Sequence, residues 1–380
     1  MKNIDKNIIY LGLVSFFTDM ASAMVTTLLP IFVVYILNEG VDKLGYIIAI
    51  STFISYALRI LFGYLSDKYQ IVKPFVVVGY FISTITKPLL MFSHGFSSVA
   101  LLRSLERTGK AIRSASKDSL ISTYSNKNHG GKTFGFHKMM DVAGEMSGSL
   151  IIVAVFYYGI EHEKLIREIF AWTLLPGLVA TVLVILFVKD SPKKIKKDVI
   201  IINKNDFKLF WILGSYFLFL LFLMSDQYFI VEAKASGITL TQIPLLVIAS
   251  TLTQTLVSYH SGVLIDRFGV SFMLLISYIF GIGSIYFLWQ NFLWLAFISL
   301  GLFTVISLNA IRTYISKNAI SQGFIYGVFY AGIALFSAIG AIMIGQIWKF
   351  YGFEASIYFS IIGTLSITAS LFFSIIKAKV

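Results

Sequence analysis

The sequence contains no cysteine and few charged residues, and both shortages narrow the class of protein. Without cysteine, disulfide bonds, thiolate metal sites and cysteine nucleophiles are excluded. Charged residues make up only 13% of the chain, whereas soluble domains have roughly a quarter. Apolar residues reach 57%, so a water-soluble fold would lack polar side chains to cover its surface. The composition therefore predicts an integral membrane protein.

The motifs of nucleotide-driven and hydrolytic machines are also missing. The sequence has no Gly-x-x-x-x-Gly-Lys-Ser/Thr phosphate loop, no His-Glu-x-x-His pair and no nucleophile elbow. We therefore expect no enzyme activity, no cofactor and no metal site. The net charge of +12 is typical of basic cytoplasmic loops in membrane proteins, so it does not indicate a nucleic-acid partner.

Long apolar runs dominate what is present. A membrane-spanning helix needs about 20 mostly apolar residues, and twelve such runs can be distinguished. They lie near residues 8–37, 44–65, 73–94, 97–117, 133–159, 167–188, 208–230, 241–262, 271–289, 291–311, 323–348 and 354–376. Lys and Arg concentrate in alternate loops, which predicts that both termini are cytoplasmic.

The basic segment 189–207 divides these runs six and six. We therefore predict an all-α membrane protein with an N-terminal six-helix bundle at 1–188, a cytoplasmic linker, and a C-terminal six-helix bundle at 208–380. A short motif repeats after helices two and eight, as Gly63-Tyr-Leu-Ser-Asp67-Lys68-Tyr69 and Gly262-Val-Leu-Ile-Asp266-Arg267-Phe268-Gly269. Parallel repeats of this kind are typical of secondary transporters.

A second and weaker repeat concerns glycines of helices five and eleven. Gly135 and Gly148 correspond to Gly327 and Gly340. Gly144 and Gly148 themselves stand four residues apart, a spacing that lets a neighbouring helix approach closely. We predict that these two glycines serve helix packing.

These motifs resemble those of the major facilitator superfamily. The two repeated loop segments resemble its Gly-x-Leu-x-Asp-Arg/Lys-aromatic signature, although Gln70 replaces the second Gly of the first copy. The run Arg103-Ser-Leu-Glu106-Arg107-Thr-Gly109 resembles its helix-four motif. The run Gly144-x-x-x-Gly148-Ser149 partly resembles its antiporter motif, with Ser149 in the place of Pro. The resemblance implies two pseudo-symmetric bundles that work by alternating access, and longer blocks resemble a bacterial branch of the superfamily.

The repeated loop motif predicts a gating role. An Asp at a helix end that faces basic groups can pair in one conformation and release in another, which biases a two-state equilibrium. We assign this role to Gly63, Asp67, Lys68, Gly262, Asp266 and Arg267. An ordinary hydrophilic turn is the alternative, and the presence of two copies in register argues against it.

Charged residues inside predicted membrane helices indicate function, because each is unfavourable in lipid by about 2.5–3.5 kcal/mol. Arg103, Glu106, Arg107 and Lys110 share one face of helix four, whereas His137, Asp141 and Glu145 recur along helix five. We expect the substrate-binding residues to be Asp19, Arg59, Lys87, Arg103, Arg107 and Asp226. We expect the proton-coupling residues to be Asp19, Glu106, Asp141 and Glu145.

Two readings of this cluster, and a structural alternative, remain open. A buried carboxyl group can take up and release a proton, whereas the bases can bind an anionic or zwitterionic solute. The alternative is a set of structural ion pairs. We favour that structural role for Arg113, Lys117 and Asp118, and an interfacial position for His137.

Together these patterns predict a monomeric secondary transporter in the bacterial cytoplasmic (inner) membrane. Its partners would be a small anionic or zwitterionic solute, protons and the lipid bilayer. Export is slightly favoured, and the alternatives are a proton-symport importer of an organic acid or siderophore-like metabolite, and an uncoupled facilitator or channel. An intramembrane enzyme is the least favoured reading, because the acids are matched by bases.

Overall fold

The structure is a computed structural model that describes residues 5–69, 71–124, 130–158, 162–190, 209–318 and 322–377. Regular structure in these ranges is entirely helical. The earlier helices are α1 (Lys6–Ile31), α2 (Val41–Tyr69), α3 (Lys73–Leu89), α4 (Phe96–Tyr124), α5 (Gly130–Tyr158), α6 (His162–Trp172) and α7 (Leu174–Phe187). The later helices are α8 (Leu209–Phe222), α9 (Asp226–Ala235), α10 (Ile243–Phe268), α11 (Val270–Trp289), α12 (Leu293–Asn318) and α13 (Gln322–Lys377).

Each predicted apolar run falls on helix, and the differences concern breaks and ends. α6 ends at Trp172 and α7 starts at Leu174. Pro176, in the first turn of α7, has no N–H to donate to the main-chain oxygen four residues earlier, so a continuous helix is interrupted here. Gly352 has φ 88°, a conformation that favours glycine, and it separates α13 into two helices. This break lies in the gap between the two last predicted runs.

The run predicted at 208–230 is corrected by the structure. It is not one helix, because α8 ends at Phe222 and α9 starts at Asp226. Ser225 caps α9 by accepting from the N–H of Gln227, which favours a new helix start at this point. Asp226 is therefore an exposed residue in the first turn of α9, not a residue well inside a helix.

Nine segments within the described residues have the length and apolar content to cross a bilayer. They combine α6 with α7 and α8 with α9, and count the two parts of α13 together. The strongly charged α4 is not among the nine. The chain is thus a multi-pass all-helical protein, whereas the count of twelve spans and the cytoplasmic termini stay predictions.

The chain divides into two compact units. The first comprises Met1–Glu39 and Ile50–Lys197, and the second comprises Gly40–Ala49 and Asp198–Val380. Residues 191–207 of the predicted linker lie outside the described ranges. The first turns of α2 therefore belong with the second unit.

Close helix contacts inside the first unit depend on glycine. In α5, a Cβ added at Gly144 would overlap the carbonyl oxygen of Phe16, and one at Gly148 would overlap that of Met20. The main chains of α1 and α5 can meet only because these two positions lack a side chain. The predicted packing role agrees with this geometry.

The second unit contains an equivalent contact. A Cβ at Gly340 of α13 would overlap the carbonyl oxygen of Leu221 in α8. Gly148 and Gly340, which correspond in the sequence repeat, thus each face the main chain of the first helix of their half. Gly327, the other described partner of the repeat, has open space around it.

Candidate functional site

The candidate site lies within the first unit, where α1, α3, α4 and α5 carry charged side chains into the helix packing. The i, i+3 spacing on α4 brings Arg103 and Glu106 together. Nη1 of Arg103 donates to Oε2 of Glu106 at 2.7 Å, and Nε of Arg107 lies 3.5 Å from the same oxygen. Arg103 is 1% exposed and Glu106 2%. A single carboxylate therefore pairs with two guanidinium groups along one helix face, which leaves one positive charge uncompensated.

The remaining donors of Arg103 are not satisfied. Its Nε and Nη2 atoms are buried, and no hydrogen-bond acceptor for them occurs in the described part of the chain. Buried polar atoms without partners are rare and unfavourable, by about 1–3 kcal/mol each. The sequence predicts Arg103 as a binding residue, and these two nitrogens are the atoms available for that role.

Lys87 of α3 is buried against α1. It is 2% exposed, and its Nζ donates to the main-chain oxygen of Thr18 at 3.3 Å. The hydroxyl group of Thr18 is itself buried without a hydrogen-bond partner in the residues that the structure describes. The structure thus places a predicted binding lysine beside an unsatisfied hydroxyl group.

Three charged residues from three helices form the open part of the site. Asp19 of α1 and Glu145 of α5 lie close enough to Lys110 of α4 to interact electrostatically with it. Within the described ranges, none of the three makes an ion pair or a side-chain hydrogen bond. Lys110 is exposed and the two acids are half-buried. We call these residues the open triad.

A second polar group joins α1, α4 and α5. Nζ of Lys117 donates to Oγ of Ser15 at 3.1 Å, and the same Oγ lies 3.1 Å from Nε2 of His137. Nδ1 of His137 lies 3.2 Å from Oδ1 of Asp141, one turn further along α5. Ser15 and His137 are 1% and 5% exposed. The predicted interfacial position of His137 did not anticipate this burial.

Two further bases, Arg59 and Arg113, contact residues outside the open triad. Arg59, predicted to bind substrate, lies 3.7 Å from Asp118, and both side chains are partly exposed. Arg113, predicted to be structural, donates to Oγ of Ser83 at 2.5 Å and stacks over the ring of Tyr80. Arg59 is therefore engaged away from the open triad, and Arg113 ties α4 to α3.

The predicted gating residues are only partly described. The side chains of Asp67 and Lys68 lie outside the described residues, although α2 continues through them and through Gly63. In the second unit, Asp266 forms a 2.7 Å ion pair with Lys317, and both side chains are exposed. The first motif is helical to Tyr69 and the second to Phe268, because α2 and α10 extend past the ends expected from the apolar runs.

Gly262 and Arg267 are the other predicted gating residues of the second motif. Gly262 has no neighbour within 4 Å of an added Cβ, and the guanidinium of Arg267 lies 5.2 Å from the ring centre of Phe268.

Asp226, predicted to bind substrate, accepts a 2.9 Å hydrogen bond from Ser225 at the start of α9. In the described residues, no group of three or more His, Asp or Glu side chains is placed to hold a metal ion.

Sequence reasoning assigned no function to Lys110, Lys117, Ser15 and His137. The i, i+4 spacing of His137 and Asp141 is the local signal for their pairing. Ser15 is 122 residues from His137 in the chain, so its hydrogen bond follows only from the packing of α1 on α5.

Comparisons with known proteins agree with this architecture. The family model of the Major Facilitator Superfamily matches residues 11–232. An uncharacterized MFS-type transporter of Methanocaldococcus jannaschii is 30% identical over 96% of this chain and 94% of its own length. The crystal structure of the nucleoside transporter NupG matches with a TM-score of 0.77 at 13% identity, over 97% of this chain and 98% of that one. The D-xylose-proton symporter matches with a TM-score of 0.68 at 15% identity, over 95% of each chain. The chain belongs to the Major Facilitator Superfamily, a family of membrane transporters.

Proposed function

We propose that this protein is a proton-coupled secondary transporter that moves a small anionic or zwitterionic solute by alternating access. It would act as a monomer in the cytoplasmic membrane, with both termini inside and export slightly favoured over import. The open triad carries this proposal, because it presents two acids and one base that make no ion pair and no side-chain hydrogen bond within the described residues.

The chemistry of the open triad suits both functions. Lys110 can attract a carboxylate or phosphate, with Arg107 nearby on the same face of α4. Asp19 and Glu145 can bind an ammonium group of a zwitterion, or exchange a proton. The electrostatic interaction between the two acids means that protonation of one changes the charge felt by the other.

Glu106 has a different part in this scheme. It was predicted to carry a proton, but its pairing with Arg103 and Arg107 favours a role in compensating their positive charge. We therefore narrow the coupling residues to Asp19, Asp141 and Glu145, and assign Lys87, Arg103, Arg107 and Lys110 to the solute. The gating role of Asp67, Lys68, Asp266 and Arg267 is kept as part of the proposal.

Membership of the superfamily and the similar solved structures support a transport function, but they do not indicate its direction. One structural neighbour is a nucleoside transporter and another is a D-xylose-proton symporter, so relatives with this fold carry small polar solutes. The preference for export comes from the Gly144 and Gly148 spacing, which resembles the antiporter motif. Proton-symport import and uncoupled facilitation are the outcomes that the experiment below must separate.

The test is a proton-flux assay in proteoliposomes filled with a pH-sensitive dye. The purified full chain would be screened against organic acids, sugar phosphates and amino-acid-like zwitterions. A solute that the protein recognises should change the internal pH only in protein-containing vesicles. Solute uptake with no pH change in any condition would replace the coupled mechanism with facilitated diffusion.

Variants then connect that flux to the site. Lys110→Gln should raise the KM of an anionic solute by about 10–100-fold, because a charge-assisted hydrogen bond stabilises by roughly 1.5–3 kcal/mol. Lys164→Gln, which alters an exposed lysine of α6, should leave KM unchanged. Equal KM values for the two variants would remove Lys110 from the solute site.

A further inference from the structure

The charge of Asp141 favours one direction of hydrogen bonding in the group formed by Lys117, Ser15, His137 and Asp141. An ionised carboxylate only accepts, so it favours the tautomer of His137 whose hydrogen is on Nδ1, 3.2 Å from Oδ1 of Asp141. In a neutral imidazole this leaves Nε2 as an acceptor, and the hydroxyl of Ser15 donates to it. Lys117 in turn donates to Ser15. All hydrogens therefore point from α4 through α1 to α5.

The Asp141 end of this group is incompletely satisfied. Oδ1 of Asp141 is buried, and no hydrogen bond of acceptable geometry reaches it from the described residues, although Nδ1 of His137 is 3.2 Å away. An imidazolium would attract this oxygen more strongly than a neutral ring does. A positive charge on the ring would thus strengthen a contact that lacks an acceptable hydrogen bond.

Binding that proton changes the contact with Lys117. A proton added at Nε2 makes this atom a donor to Oγ of Ser15, which already accepts from Nζ of Lys117. The hydroxyl hydrogen must rotate away, and an imidazolium and an ammonium then share one oxygen. Their repulsion weakens the attachment of Lys117 to Ser15, so protonation loosens the connection between α4 and α1.

We propose that His137 is a proton-carrying residue of the transport cycle and that Ser15 is the switch between its neutral and protonated states. In the neutral state, the chain of hydrogen bonds ties α4 to α1 and α5. In the protonated state, His137 pairs with Asp141 and releases Lys117. The inference rests on the proposed function, because it adds His137 to Asp19, Asp141 and Glu145 as a residue that carries the coupled proton of the same transporter.

The charged surroundings of His137 come from three helices around it. Asp19 and Lys117 act on Asp141 from α1 and α4, and Lys138 acts on it from α5. Tyr80 of α3 lies near Lys117. The other titratable or charged groups acting on this acid–base network are Lys110, Arg113, Asp118 and Glu145. Acids and bases are mixed here, so one proton changes the balance of charge locally.

The order of serine, histidine and aspartate resembles a hydrolytic triad, but the environment does not suit hydrolysis. Ser15 lies in the middle of α1, where the main-chain N–H groups are used within the helix. No pair of free N–H donors is therefore available to stabilise an oxyanion beside Oγ. A role in proton transfer would involve Lys117, Ser15, His137 and Asp141 and would not need free main-chain N–H donors.

The test compares two transport modes of the reconstituted full chain. His137→Gln keeps a polar side chain that can bond with Ser15 but cannot bind a proton near neutral pH. We expect it to reduce substrate-linked proton flux by about tenfold or more, in line with the loss of a positioned acid–base group. Solute exchange at equal internal and external pH should stay within about twofold of wild type, because exchange needs no net proton transfer.

Matched variants keep the outcome decisive. His94→Gln alters an exposed histidine outside the group and should leave both modes unchanged. Ser15→Ala should reduce proton flux while Ser15→Thr, which restores a hydroxyl group, should recover it. This pair also decides the matter if His137→Gln fails to fold. Normal proton flux in His137→Gln or in Ser15→Ala would overturn the inference.

Failure of the inference is separable from failure of the proposed function. If the wild-type protein moves solute without protons, the proposed coupling itself is wrong. If the wild type couples and both variants couple equally well, only the assignment to His137 is wrong.

Discussion

Arg103 donates a 2.7 Å hydrogen bond to Glu106 one turn away on α4, and both side chains are almost completely buried. The pair is a structural element of the membrane domain as well as a candidate part of the site. Removing one partner of a buried pair leaves an uncompensated charge, which destabilises by about 3–5 kcal/mol. Replacing both partners by apolar residues avoids that penalty.

We therefore expect Glu106→Met to lower the melting temperature of the detergent-purified protein, and Arg103→Met to lower it by less, because Arg107 still pairs with Glu106. The double variant should recover most of the lost stability while remaining inactive in transport. Differential scanning fluorimetry of the four proteins measures this cycle. A double variant whose stability loss equals the sum of the two single losses would contradict the pairing.

Lys87 leads to the opposite expectation for stability. It is buried with one weak hydrogen bond to Thr18, so a methionine of similar volume would remove an unfavourable charge. Lys87→Met should keep or raise the melting temperature, and transport should fall by at least about tenfold if this lysine binds solute. Thermal stability and solute exchange are measured on the same preparation, with Lys164→Gln as the control. A stable and fully active Lys87→Met protein would exclude the binding role.

The close contact of α5 with α1 can be tested by adding one methyl group. Gly144→Ala places a Cβ against the main chain around Phe16, which cannot move as a flexible side chain could. Overpacking of this kind destabilises by about 1–3 kcal/mol. Gly214→Ala in α8 meets open space, and alanine is the better helix former by up to about 1 kcal/mol.

The expected result is a lower melting temperature for Gly144→Ala and an unchanged or higher one for Gly214→Ala. The same measurement on Gly340→Ala should resemble Gly144→Ala, because Gly340 faces the main chain of Leu221 in the second unit. If all three variants were equally stable, the role of these glycines in helix approach would be refuted.

The sequence predicted the helices well because a bilayer imposes a length and an apolar composition on each span. It also placed Arg103 and Glu106 on one face of α4, because their i, i+3 spacing is a local property, and the structure shows that they pair. It failed at Asp226, because the polar residues Ser225, Asp226 and Gln227 were taken as part of one apolar run, whereas Ser225 caps a new helix there. Local capping chemistry prevailed there over composition.

Contacts between distant segments could not be predicted in this way. The bond of Lys87 to Thr18 and that of Ser15 to His137 depend on which faces of α1, α3 and α5 meet. Periodicity identifies the polar face of each helix but not the partner that it faces. For this reason His137 was expected at the interface, whereas packing of α1 on α5 buries it.

An ion pair in the second unit joins a buried carboxylate to a partly exposed lysine, so removal of either partner is expected to change stability by a different amount. Nζ of Lys349 lies 3.0 Å from Oδ2 of Asp42, whose side chain is 5% exposed, whereas the lysine side chain is 44% exposed. Oδ1 of Asp42 is buried without a hydrogen bond from the described residues. Without Asp42, the lysine can turn to its exposed side; without Lys349, the carboxylate stays buried with no counter-charge.

Lys349→Gln should therefore destabilise the protein more than Asp42→Asn does, by roughly 1–3 kcal/mol. The double variant should resemble Asp42→Asn, because the buried charge is absent from both. Melting temperatures of the three variants, measured at low and high salt, test this order. If Asp42→Asn destabilised the protein more than Lys349→Gln, the charge that lacks water would be that of Lys349 and not that of Asp42. Loss of a partner destabilises the protein most when the remaining charge has little access to water.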